Sequence, residues 1–260
     1  MKKRILTFIL FAFIAIGVNA QKTYAIVMGV QKYNNPSFSI NDLNNTARDA
    51  KELKKLLSKN GAEVALLTGK YVTKANFNQR LSKLVNLVNR NSMQDNIIIF
   101  FSGHGMDNAM CFWDGPYAYI DLFNQLANVR AKNIFIFVDA CHSGSGGQLM
   151  VNGGARINPR IAFISAARSD EASVDDAFNI INHGWFTQGM VKGLRGMSDV
   201  NKDRAVSLIE LFNYIYNDVT ARSAHYEQNP PVMLADVGFR RFHPQLFAPR
   251  NMHNEIVIKW

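Results

Sequence analysis

Cysteine is scarce: Cys111 and Cys141 are the only two in 260 residues, so one disulfide at most is available. Beyond residue 20 no window holds eighteen uncharged apolar residues, so that part of the chain contains no stretch that reads as a membrane-spanning helix. No Lys- or Arg-rich run, no low-complexity tract and no internal repeat is present. The 29 Lys and Arg stand against 20 Asp and Glu, and three of the basic residues are Lys2, Lys3 and Arg4. That balance describes a mixed, solvated surface, and no nucleic-acid partner is expected. No feature fixes an oligomeric state.

The basic start is followed by an unbroken apolar stretch, Ile5 to Val18, and then by Asn19 and Ala20. This is the pattern of a secretory signal peptide, with cleavage expected after Ala20. No Cys follows the cleavage site, so nothing marks a lipoprotein. The expected mature chain is periplasmic or secreted, with no membrane association after signal cleavage. Its apolar content, 48% over the full sequence, is enough for one large core. We therefore divide the chain into a signal peptide (1–20), one α/β domain (21–245) and a tail (246–260) that includes a candidate edge strand at Glu255 to Lys259.

Apolar, β-branched runs occur at Thr23 to Val30, Ala62 to Leu67, Asn96 to Phe101, Asn133 to Val138 and Arg160 to Ile164. Short runs apolar at nearly every position predict strands buried on both faces, as in a parallel sheet. Between and after them, helical spacing marks Ala47 to Lys59, Lys74 to Asn89, Ile120 to Val129, Trp185 to Leu194 and Leu208 to Arg222. The alternation predicts a doubly wound α/β sandwich, a mainly parallel sheet between helices. The segment Ser143 to Asn158, with Gly144, Gly146, Gly147, Gly153 and Gly154, reads as a mobile loop.

In such a sheet, ligands bind beyond the carboxyl ends of the strands. Two of the runs end in unusual punctuation there: Ser102-Gly103-His104-Gly105 and Asp139-Ala140-Cys141-His142-Ser143-Gly144. If the two strands are neighbours, an imidazole and a thiol project into one crevice. A thiol needs a base to become a nucleophile at neutral pH, and His104 is placed to supply it and later to protonate a leaving amine. The N–H groups of Gly105 and Cys141 are candidate oxyanion donors. The plain alternative is a Cys111–Cys141 disulfide. His142, next to the Cys, is expected to point to the opposite face and to be structural.

These two motifs resemble the signatures of the caspase and metacaspase superfamily of cysteine peptidases. Thr23 to Tyr33, Asn45 to Leu57 and Gly184-Trp185-Phe186-Thr187 are similar to the family's first strand, first helix and entry to a late helix. The resemblance implies the caspase-hemoglobinase fold, a His104–Cys141 dyad and polypeptide substrates. Its metacaspase branch implies cleavage after Lys or Arg, with Asp49, Ser102, Asp139 and Ser165 as substrate-binding residues. Arg48 and Thr46 depart from that branch, which usually carries Asn and often Cys at these positions. A caspase-like module that binds peptides without cleaving them is the reading from another class.

No organic cofactor is required by this chemistry. Calcium is the candidate ion, because Asp199, Asn201, Asp203, Ser207 and Glu210 fall at positions one, three, five, nine and twelve of an EF-hand-like loop. Arg204 occupies the sixth position, where the turn usually carries Gly, and Ser207 with Glu210 reads equally as a capping box. A peptidase that selects basic residues is also expected to meet Arg156, in the Gly-rich segment, as a self-cleavage site. Asp175-Asp176 reads as a solvated pair.

Overall fold

A strand that is apolar at every position can hide its side chains only when both faces of its sheet are covered. In the computed structural model β1 (Thr23–Gly29), β3 (Asn96–Ser102), β4 (Asn133–Asp139) and β5 (Ile161–Ser165) are buried along nearly their whole length. Strand β2 (Glu63–Thr68), at one edge, is only partly covered. These five run parallel in the order β5-β4-β3-β1-β2, and β6 (Gln245–Phe247) adds an antiparallel strand outside β5. The structure describes residues 21–91, 93–153, 157–173, 183–229 and 240–260. The expected signal peptide, Gly154, Arg156 and Asp175-Asp176 lie outside the described residues.

Alternate positions along each strand feed two cores, as the period of two requires. Ile26, Met28, Ile99, Phe101, Ile136 and Phe163 pack with side chains of α2 (Lys74–Asn91) and α3 (Tyr119–Leu126), among them Phe77, Leu81, Leu122 and Phe123. Val27, Ile98, Phe100, Phe135, Phe137 and Ile164 pack with α1 (Thr46–Lys59), α5 (Trp185–Lys192) and α6 (Leu208–Gln228), through Leu53, Leu57, Phe186, Leu211 and Ile215. The fold is the predicted α/β sandwich, and the five strand runs and five helical segments all form. Helix α1 starts hard against the carboxyl end of β1. A Cβ on Gly29 would overlap the Thr46 carbonyl, so only glycine lets the first turn, with Asp49, settle over the sheet edge.

Two expectations need correcting. Much of the Gly-rich segment is helix, α4 (Gly144–Val151), not loop. Its glycines serve close packing: a Cβ on Gly146 would come within 2.7 Å of the Phe163 ring and 2.9 Å of Tyr119, and one on Gly147 would overlap the ring of Phe247. The C-terminal strand Ile256–Lys259 does form, but it pairs antiparallel with Ala205–Ser207 in a separate two-stranded sheet. The edge of the main sheet belongs to β6, a strand the sequence pattern did not disclose, and which spans position 245.

Replacing Gly147 with Ala separates the two readings of this segment. In a solvated helix or loop the change stabilises by about 0.4–1 kcal/mol through propensity and unfolded-state entropy. Against Phe247 the added methyl overpacks, at about 1–3 kcal/mol. Urea unfolding is expected to show a net loss of stability, and a neutral or stabilising result contradicts the packing role.

Candidate active site

Strands β3 and β4 pair in register with Ser102 opposite Asp139, and the Gly103 N–H continues the ladder to the Asp139 carbonyl at 3.2 Å. Two residues past that register pair, His104 and Cys141 leave adjacent strand ends side by side. Between them lies Gly105, where a Cβ would overlap the Cys141 carbonyl and stand 2.9 Å from Ala140 Cβ. The backbone of the His segment therefore lies directly on that of the Cys turn, and glycine is required there. Ser145 ties the same two segments again: its hydroxyl donates to the His142 carbonyl at 2.7 Å and accepts from the Asn108 N–H at 3.0 Å.

His104 is held on three sides. Its N–H donates to the Tyr33 hydroxyl at 2.8 Å, its ring lies 5.0 Å from the Tyr33 ring, and its Nε2 sits 2.7 Å from the Asn41 carbonyl. A carbonyl oxygen only accepts, so Nε2 carries the hydrogen and the lone pair of the neutral ring is on Nδ1. Tyr33 in turn donates to the Cys111 carbonyl at 3.1 Å. Cys141 Sγ donates to the Ser173 carbonyl at 3.5 Å. Burial pushes the Cys141 thiol up, so it rests protonated and needs a base to react.

Both cysteines are free. Cys111, buried in one of the two cores and pushed up to about 11 by that burial, packs as a small apolar side chain. His142 takes a positive φ of 55° and turns away from the thiol, with Nδ1–H donating to the Ser169 carbonyl at 2.8 Å and N–H to the Glu171 carbonyl at 2.9 Å. Its role is structural.

Beneath the strand ends lies a pair of buried carboxylates. Asp49, fully buried in the first turn of α1, accepts from Ser102 Oγ (3.1 Å), His183 Nδ1 (2.8 Å) and the Gly184 N–H (3.3 Å). Asp139, at the end of β4, accepts from Ser173 Oγ (3.1 Å) and from the N–H and hydroxyl of Thr187 (3.1 and 2.6 Å). A Cβ on Gly184 would stand 2.5 Å from Asp139 Oδ2 and 3.2 Å from Asp49 Oδ2, so both acids face this one glycine. Among the described residues no Lys or Arg pairs with either carboxylate, and the only ion-pair partner is His183, when protonated. Burial, and after it the charge of Asp49, push Asp139 up to about 7, and burial raises Asp49 as well.

Ser165 ends β5, fully buried, and its hydroxyl has no hydrogen-bond partner among the described residues. The loop from Asp199 to Glu210 lies elsewhere on the chain, leading into α6. Asp199 Oδ1 and Asn201 Oδ1 accept from the Asp203 N–H, Asp199 Oδ2 from the Arg204 N–H, and Asp203 Oδ1 from the Ala205 N–H. Ser207 and Glu210 form the capping box of α6. The spacing that suggests calcium thus has its side-chain oxygens turned to the loop's own backbone. Among the described residues no group of three His, Cys, Asp or Glu side chains is close enough to hold a metal ion.

Tyr33, Asn41, Ser173 and His183 were not foreseen. Asn41 acts through its carbonyl, which leaves no trace in residue identity. His183 directly precedes the Gly184-Trp185-Phe186-Thr187 motif, the one signal that could have found it.

A thiol and an imidazole on adjacent parallel strand ends, above a buried acidic pair, define a caspase-type α/β sandwich with the site at its carboxyl edge. The sequence profile of the caspase domain family matches residues 22–237, and the chain belongs to that family of cysteine peptidases. Caspase-1 from Spodoptera frugiperda shares the fold with a TM-score of 0.65 at 17% identity, over 92% of this chain and 89% of that one. The protein GSU0716 from Geobacter sulfurreducens does so with 0.62 at 16% identity, over 90% and 97%. No curated protein matches the chain.

The buried pair generates a stability prediction. Asp139 is protonated up to about 7 in the folded chain but only to about 4 when unfolded. Its contribution to stability is therefore present below about pH 4 and has been lost once the pH passes about 7. Asp139→Asn keeps the acceptor for Thr187 and removes the titration. Urea unfolding from pH 5 to 8 is expected to show the parent losing stability relative to the variant, by an amount of order 1.4 kcal/mol per unit of separation. A difference independent of pH contradicts the raised carboxyl.

Proposed function

We propose that this chain is a cysteine endopeptidase that uses a His104–Cys141 dyad and cleaves after Lys or Arg. The observation that carries the reading is the acidic pair itself. Two carboxylates buried without a Lys or Arg among the described residues are costly unless a cation arrives from outside. A lysyl or arginyl side chain of a polypeptide supplies it, and each aspartate keeps an acceptor site on Oδ1 for its N–H donors. An acidic substrate side chain meets only repulsion there. Ser102, donating to Asp49, and Ser165, with its unpartnered hydroxyl, complete the proposed substrate-binding set.

In the proposed reaction His104 Nδ1 takes the proton of Cys141 Sγ, and the thiolate attacks the carbonyl carbon after the basic residue. The Gly105 and Cys141 N–H groups receive the oxyanion. The tetrahedral intermediate then collapses, the C–N bond breaks, and the proton on Nδ1 passes to the leaving amine. Water, deprotonated by the same nitrogen, attacks the thioester and releases the carboxylate product and the free thiol. The Asn41 carbonyl holds Nε2–H throughout and so stabilises the imidazolium.

Hydrolysis of arginyl, lysyl and aspartyl fluorogenic amides tests this. Cys141→Ala and His104→Ala are each expected to lower kcat by about a thousandfold or more while the fold survives. Arginyl and lysyl substrates should exceed the aspartyl one in kcat/KM by at least about a hundredfold. For basic substrates kcat/KM should rise through about pH 7, because Asp139 must lose its proton before it can receive a cation. Activity near that of the parent in either variant removes the dyad, and a preference for Asp removes the pocket.

A further inference from the structure

The two aspartates are served by matched sets of donors. Asp49 accepts two bonds on Oδ2, from Ser102 and Gly184, and one on Oδ1, from His183. Asp139 accepts two on Oδ2, from Thr187, and one on Oδ1, from Ser173. A carboxylate oxygen has two lone pairs, so the open acceptor site is on Oδ1 in both residues. Both filled Oδ2 atoms face Gly184.

Among the donors to the pair, His183 is the one ionisable side chain. It is 23% exposed while Asp49 is fully buried, which puts the imidazole between the carboxylate and solvent. It belongs neither to the strand-end motifs nor to the acidic pair, and it reaches Asp49 from the residue before α5. An N–H at 2.8 Å favours the ionised carboxylate over the acid, the opposite pull to burial.

We infer that His183 is a specificity-positioning residue of the cation pocket: its Nδ1–H keeps Asp49 ionised and orients Oδ1 so that its remaining lone pair meets a lysyl or arginyl group. The inference rests on the peptidase reading of that pocket and assigns a role to a residue outside the dyad and the acidic pair. The titratable groups of the pocket among the described residues are Asp49 on α1, Asp139 on β4 and His183 itself. Ser102, Ser173, Gly184 and Thr187 carry no charge.

The test uses the full chain, steady-state kinetics on an arginyl amide, and calorimetric binding of benzamidine, a small aromatic cation. His183→Ala is expected to raise both KM and the benzamidine Kd about tenfold, or 1.4 kcal/mol, with kcat changed less than twofold. The acid limb of kcat/KM should move to higher pH, since Asp49 without its donor holds its proton longer. His183→Asn puts an amide N–H where Nδ1 was and should restore KM, Kd and the limb. A purely structural role lowers melting temperature and kcat together and leaves KM and the limb in place. If His183→Ala does not fold, His183→Leu, of similar bulk and without a donor, is compared with His183→Asn in its stead. Parent-like KM and Kd in the donor-free variant overturn the inference while leaving the pocket intact. A parent that neither binds benzamidine nor prefers basic substrates overturns the pocket reading and this inference with it.

Discussion

Burial of Asp49 and Asp139 at one edge of the sheet is the constraint to which the surrounding structure answers. Isolated carboxylates out of water are expensive, and here six hydrogen-bond donors from three regions of the chain converge to hold two of them. Helix α1 brings Asp49 because Gly29 allows its first turn onto the sheet, and β4 ends in Asp139. Ser102 comes from β3, Gly184 and Thr187 from the start of α5, and Ser173 and His183 from the connecting chain between β5 and α5. Loss of any one donor leaves a buried acid under-satisfied. The raised Asp139 carboxyl records that cost.

The strand ends that carry Ser102 and Asp139 also carry His104 and Cys141. Ser102 and Asp139 are register partners, and His104 and Cys141 each lie two residues further along. Ser102 and Asp139, like His104 and Cys141 beyond them, are thus set by one piece of β-ladder rather than by a loop. Ser173 spans both: its hydroxyl reaches Asp139 while its carbonyl accepts the thiol proton. The thiol rests protonated, and the Nε2–H of His104 is engaged by the Asn41 carbonyl, which puts the lone pair of the neutral ring on Nδ1.

Period-two and period-3.6 patterns were legible because each strand run and each helical face buries one kind of side chain, and the placement of His104 and Cys141 on neighbouring strand ends was legible because Gly and Asp punctuate those ends. The helix α4 was not, since glycine normally argues against a helix and only the nearness of Phe163, Tyr119 and Phe247 reverses that. Strand β6 was hidden too: three residues beside β5 carry too little pattern to read alone. The positioning groups were hidden for a different reason. Asn41 works through a carbonyl any residue could supply, and His183 lies 134 positions from the carboxylate it holds. At the EF-hand-like spacing, Ser207 and Glu210 form a capping box, and Asp199, Asn201 and Asp203 accept from backbone N–H groups.

Covalent labelling of the thiol followed by peptide mass mapping is the most direct test of the proposed peptidase site. An arginyl chloromethyl ketone is predicted to modify Cys141 and not Cys111, faster than its aspartyl counterpart, with the rate falling sharply in Asp139→Asn. Equal labelling by both reagents, modification at Cys111, or no labelling of the folded chain would contradict it.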